Sequence, residues 1–139
     1  MARVRPTTAI LLAALLLAAQ GPAAAQPALA PGQVSGAELQ AWFDADGMAI
    51  AGVNTRNQCY FMARGVGDRR RQFIDCPAMP PPFMVVGEAK VVGHQLCSKF
   101  TYPDGTGVDR CQDIFKVGDN RYEIRHDGQV VSVIQRLLR

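Results

Sequence analysis

The sequence predicts a mainly β protein: a small antiparallel up-and-down β-barrel, or a strongly curved sheet, with one short N-terminal helix. Three observations predict it. From Met48 onward, short apolar runs alternate with turn residues and no long helical period appears. Gly67-Asp68, Pro103-Asp104-Gly105 and Asp127-Gly128 are turn signals that join these runs into hairpins. Two of those turns bring cysteine opposite cysteine when residues are counted outward from the turn.

The chain begins with Arg3 and Arg5, a Leu/Ala-rich run from Ile10 to Ala19, and Ala23-Ala24-Ala25 before Gln26. That order is a secretory signal peptide over residues 1–25. Its apolar run, about ten residues, is too short to cross a bilayer as a helix. No cysteine sits near the cut, so no membrane anchor is expected after cleavage. The mature domain is then expected in an oxidising compartment, periplasmic or secreted, where cysteines pair. Losing Arg3 and Arg5 leaves 13 basic against 12 acidic residues, a net charge of +1. Such a balance exerts no general pull toward nucleic acid or anionic lipid.

Residues 26–34 are Pro/Ala/Gly-rich and read as a flexible lead-in. Residues 35–139 read as a single disulfide-stapled β domain, large enough to build its own core. Ser35 and Glu38 have capping-box spacing at a helix start, with Val34 and Leu39 at the staple positions. Leu39, Trp42 and Phe43 share one face, which is expected to dock on the β core. Asp44 to Gly47 ends the helix. Met48 to Val53 is a strand, and Asn54 to Asn57 a turn.

A two-residue turn at Gly67-Asp68 sets Phe61 against Ile74 and Cys59 against Cys76. A three-residue loop at Pro103-Asp104-Gly105 sets Phe100 against Val108 and Cys97 against Cys111. Both cysteine pairs fall on non-hydrogen-bonded sites, where antiparallel strands approach most closely. Of three connectivities, this selects Cys59–Cys76 with Cys97–Cys111. Cys76 to Met84, with Pro80, Pro81 and Pro82, reads as a stiff extended crossing. Val85 to Val92 is a strand broken at Gly93. A type I′ turn at Asp127-Gly128 pairs Ile124 with Val131 and Tyr122 with Val133. A turn at Asp119-Asn120 pairs Val117 with Tyr122, Phe115 with Ile124 and Lys116 with Glu123. About seven or eight strands result, and sheets of that size tend to close.

The residues give little chemistry. His94 and His126 lie far apart beside turns and read as solvated; Met79 and Met84 flank the prolines and read as packing residues. No metal or other cofactor is expected. Ser35 is a helix cap, while Ser98 and Ser132 sit mid-strand outside any nucleophile elbow. The cysteines are committed to disulfides, and Asp68, Asp104, Asp119 and Asp127 are explained by turns. No catalytic residue is assigned. Arg69, Arg70 and Arg71 at a hairpin tip are a candidate contact for an anion or a partner. Against that, a solvated tip explains them, and alternate strand residues point to opposite faces.

Ser35-Gly36-Ala37-Glu38-Leu39, Gly93-His94-Gln95-Leu96-Cys97, Arg110-Cys111, Gly118-Asp119-Asn120-Arg121-Tyr122 and Asp127-Gly128 occur in that order. In this the chain resembles a group of small exported bacterial proteins carried as a domain of unknown function. The resemblance implies an extracytoplasmic β domain with a Cys97–Cys111 disulfide and brings no catalytic residue. The expected function is therefore a non-enzymatic binding or accessory role toward a protein or small ligand in the envelope. A small hydrolase using scattered carboxylates and a structural envelope or stress protein are the alternatives.

Overall fold

The computed structural model describes residues 27–66 and 69–138. The signal peptide expected over 1–25 and the turn expected at Gly67-Asp68 lie outside the described residues.

One helix precedes eight strands: α1 (Gly36–Asp46), β1 (Ile50–Asn54), β2 (Tyr60–Val66), β3 (Arg69–Asp75), β4 (Phe83–Val92), β5 (Gln95–Thr101), β6 (Gly107–Gly118), β7 (Arg121–His126) and β8 (Gln129–Arg136). Each strand pairs antiparallel with the next, and β8 returns to β1, closing the barrel. Closure removes the edges that a sheet of this size would otherwise expose.

Turn chemistry sets the registers. β2 and β3 pair Phe61 with Ile74, as predicted, and β5 and β6 pair Cys97 with Cys111 and Phe100 with Val108. Gly105 is left-handed, as the three-residue loop requires. Disulfides join Cys59 to Cys76 and Cys97 to Cys111, with Cα atoms 4.2 and 3.9 Å apart. The first faces the barrel interior and the second its outer surface.

Two expected registers are corrected. Asp127 and Gly128 both have positive φ, as a type I′ turn demands. Beyond the first pairs, however, the β7–β8 register slips by one residue, so that Ile124 faces Ser132 and Tyr122 faces Ile134. Between β6 and β7 the same happens at Val117, so that Ile114 faces Ile124, Phe115 faces Glu123 and Lys116 faces Tyr122. Each bulge turns a different set of side chains inward. Ile114 and Ile134 become interior, at 0% and 2% exposure. Phe115 moves outside, where the Arg125 guanidinium lies 4.0 Å from its ring centroid. Glu123 pairs with Arg125 at 2.7 Å rather than with Lys116. Ile134 faces Gly52 of β1. A Cβ on Gly52 would meet Ile134 Cγ2 at 2.6 Å, so that glycine lets the barrel close.

The proline crossing is shorter than expected. β4 begins at Phe83, which pairs with Ile74, and Met84 pairs with Phe73. The end of the lead-in is also held. β6 outruns β5, and residues 32–34 take the vacant edge. Val34 donates its N–H to the Ile114 carbonyl and Lys116 donates to the Gly32 carbonyl, both at 2.8 Å.

The helix closes one end of the barrel. Ser35 Oγ accepts the Glu38 N–H at the N-cap, and left-handed Gly47 terminates the helix. Its buried face carries Leu39 and Trp42, at 0% and 4% exposure, with Val34 buried beside them. Trp42 meets Tyr122 edge-to-face at 5.0 Å between centroids. Arg136 lies over the Trp42 ring and bonds Asp46 at 3.1 Å. His94 is not the solvated histidine expected: its Nδ1 accepts the Gly36 N–H at 2.9 Å, filling one of the unpaired groups of the helix start. A Cβ on Gly36 would overlap the Gly93 carbonyl oxygen, so the helix meets the β4–β5 turn backbone to backbone.

Candidate functional site

The other end of the barrel is where a site forms. Here the turns after β1, β3, β5 and β7 surround an opening that leads into a cavity of about 620 Å³. An eight-stranded barrel is just wide enough either to fill itself with side chains or to hold one small ligand. In this barrel the inward positions include Ala63, Ser98, Ser132, Val108 and the Cys59–Cys76 disulfide. Those side chains are too short to reach the axis. Around α1 the long residues Leu39, Trp42, Met48, Ile50 and Ile114 fill the interior instead. The result is a packed floor below a hollow upper half.

The wall has two chemistries. Ile50, Phe61, Ile74, Leu96, Phe100 and Ile124 supply apolar surface. Gln72, Ser98, Gln112, Ser132, Arg70 and Arg110 supply polar groups. A mostly apolar hollow with a few converging polar groups is the common form of a small-molecule site. The rim is made of Asn54, Asn57, the Pro80–Pro82 segment, Tyr102 and Asp104. The Pro80–Pro81 peptide is cis.

Electrostatics differ along this path. At the rim, hydrogen bonds from the Thr106 hydroxyl and N–H hold the Asp104 carboxyl below its ordinary value. Burial pushes the Tyr102 hydroxyl above its ordinary value of 10; the Arg110 charge opposes the rise and the Asp104 charge adds to it. Tyr102 is therefore a neutral hydrogen-bond donor at physiological pH. Deep in the barrel, desolvation lowers Arg70 from its ordinary value to about 10, with the Asp46 charge acting the other way. It stays charged at neutral pH.

The three arginines expected at one tip do not act together. Alternation along β3 leaves Arg69 and Arg71 exposed and sends Arg70 inside, at 3% exposure. Its guanidinium donates to the Gly47 and Met48 carbonyls at 3.2 and 3.1 Å and lies 5.7 Å from the Phe43 ring centroid. Arg70 therefore ties the helix end to the barrel. Arg70→Ala is expected to lower stability by about 2–4 kcal/mol, the scale of two charge-assisted hydrogen bonds and their packing. Urea unfolding at pH 7 checks it; a loss below about 0.5 kcal/mol, the ordinary surface value, contradicts this role.

The sequence reading missed Arg110, Gln112, Ser98 and Tyr102 as lining residues. A signal existed for the first three. Once Cys97 faces Cys111 outside, Ser98 and Arg110 face each other inside, and Val108, Arg110, Gln112 and Ile114 share the inner face. Among the described residues no cluster of three or more His, Cys, Asp or Glu side chains could hold a metal.

No family model, curated protein or solved structure matches this chain. Its two disulfides suit an oxidising, extracellular compartment.

Proposed function

We propose that this protein is a non-enzymatic carrier or sensor that takes a small, largely apolar molecule into the barrel. One observation carries the reading: a lined hollow of about 620 Å³, open at one end and closed at the other by the packed core beneath the helix. That volume lies within the usual range for small-molecule sites, roughly 300–1,000 Å³. The lumen's polar groups are amides, hydroxyls and arginines. These suit holding a ligand better than exchanging protons with it near neutral pH. A hydrolase using two carboxylates fits less well, because Asp104 is the carboxylate among the described lining residues and it stands at the rim. Export to the periplasm or medium, and kinship with the exported group of unknown function, belong to the same proposal.

Fluorescence titration with the neutral probe N-phenyl-1-naphthylamine tests it. The expected result is saturable enhancement with one probe per chain. Ser98→Phe, which places a ring in the hollow, is expected to weaken binding about tenfold or more, some 1.4 kcal/mol, with little change in Tm. Absence of saturable binding, or binding untouched by Ser98→Phe, overturns the proposal.

A further inference from the structure

Among the described residues, the buried Arg70 and the Trp42-stacked Arg136 have structural work at the helix end of the barrel. Arg70 donates to two helix-end carbonyls, and Arg136 bonds Asp46 and stacks on Trp42. Arg110 differs. It projects into the hollow from β6, opposite Ser98. Its Nε is buried without a hydrogen-bond partner, as is that of Arg136, but unlike Arg136 it makes no other side-chain hydrogen bond among the described residues. No ion pair of Arg110 occurs among them either. Arg110 as a whole is half-buried, but its Nε has lost water without gaining a partner, which is costly and seldom left so in proteins. The nearest lining carboxylate, Asp104, has its Oδ1 engaged by Thr106.

What surrounds Arg110 defines what would complete it. Ser98 and Gln112 flank it on the inner face, and Tyr102 at the rim is near enough to feel its charge. Toward the helix Leu96, Ile124, Ile50 and Ala63 supply apolar lining, and the deep Arg70 guanidinium is already engaged by the Gly47 and Met48 carbonyls. A guanidinium presents a planar fork of donors that fits two oxygens of one anion. We infer that Arg110 is the anchor for the oxyanion head, carboxylate or phosphate monoester, of an amphipathic ligand whose apolar tail lies deeper in the barrel. This rests on the ligand-holding reading above and adds the ligand's charge and orientation.

The test is displacement of N-phenyl-1-naphthylamine by decanoate, decyl phosphate and decan-1-ol, each below its micelle concentration. The wild-type protein is expected to bind at least one of the anions about tenfold or more tightly than the alcohol, and higher salt is expected to shrink that preference. The tighter anion identifies the head group. Arg110→Gln is expected to erase the preference while leaving decan-1-ol within about twofold, and Arg110→Lys to keep part of it. Equal affinity for all three amphiphiles in the wild type, or a preference that survives Arg110→Gln, overturns the head-group inference and leaves the hollow as a site for neutral ligands. Failure of the probe and of all three amphiphiles to bind overturns the ligand-holding reading itself, and this inference with it. The acid-against-alcohol comparison needs no variant, so a misfolded Arg110→Gln protein would not rescue the inference.

Discussion

Trp42→Ala is expected to destabilise the protein by about 3–5 kcal/mol, the range for emptying a buried aromatic site. Trp42 joins three things at once. It is the largest residue on the buried helix face, it meets Tyr122 of β7 edge-to-face, and it carries Arg136 of β8 on its ring. Removing it leaves a void between helix and barrel that rigid strands cannot close. For a domain of this size the corresponding fall in Tm is on the order of 15 °C. Circular dichroism should follow it, because the substitution deletes the only tryptophan. Phe43→Ala, at a half-buried position on the same helix, is expected to cost less than half as much. Similar losses at both positions would mean that the helix does not plug the barrel through Trp42.

Removing the disulfides is the second large effect. Sequence separations of 17 and 14 residues correspond to about 3 kcal/mol each when loop closure is counted in the unfolded chain. Together they approach the whole stability of an ordinary domain, about 5–15 kcal/mol. Replacing one pair by alanine should therefore leave a folded protein of lower Tm, and replacing both should leave one largely unfolded at 37 °C. The two bonds should also differ in accessibility. Cys59 and Cys76 are buried in the lumen wall, whereas Cys111 is exposed on the outer surface. Under native conditions a small thiol followed by alkylation and peptide mapping should open Cys97–Cys111 first. Opening of Cys59–Cys76 at the same rate would contradict a closed, packed wall.

Much of the barrel was legible because turn residues determine register. Gly105 and the Asp127-Gly128 pair adopt the conformations their types require, and both cysteine pairs follow from counting outward. What escaped were single-residue bulges. Phe115 against Ile124 is a plausible apolar pair on paper, and no turn rule announces that Val117 or Val131 will be the extra residue. Closure decides it, because β8 must present Ile134 to Gly52 of β1. Charge misled in a related way. Arg69, Arg70 and Arg71 read together as one hairpin tip, yet strand alternation sends Arg70 alone inside, and Arg110 carried no signal of its own until the register placed it in the hollow. His94 escaped because its partner, the start of α1, is 58 residues away. The hollow itself is a property of volume: short side chains at Ala63, Ser98 and Ser132 leave space only once eight strands have met around them.

Methyl-resolved NMR during titration with decanoate tests most directly whether the barrel interior is the binding site. Shifts are expected at Ile74, Leu96 and Ile124, which line the hollow, while Met62 and Met84 on the outer wall stay still. Shifts confined to Met62 and Met84, or no saturable shifts, would contradict it.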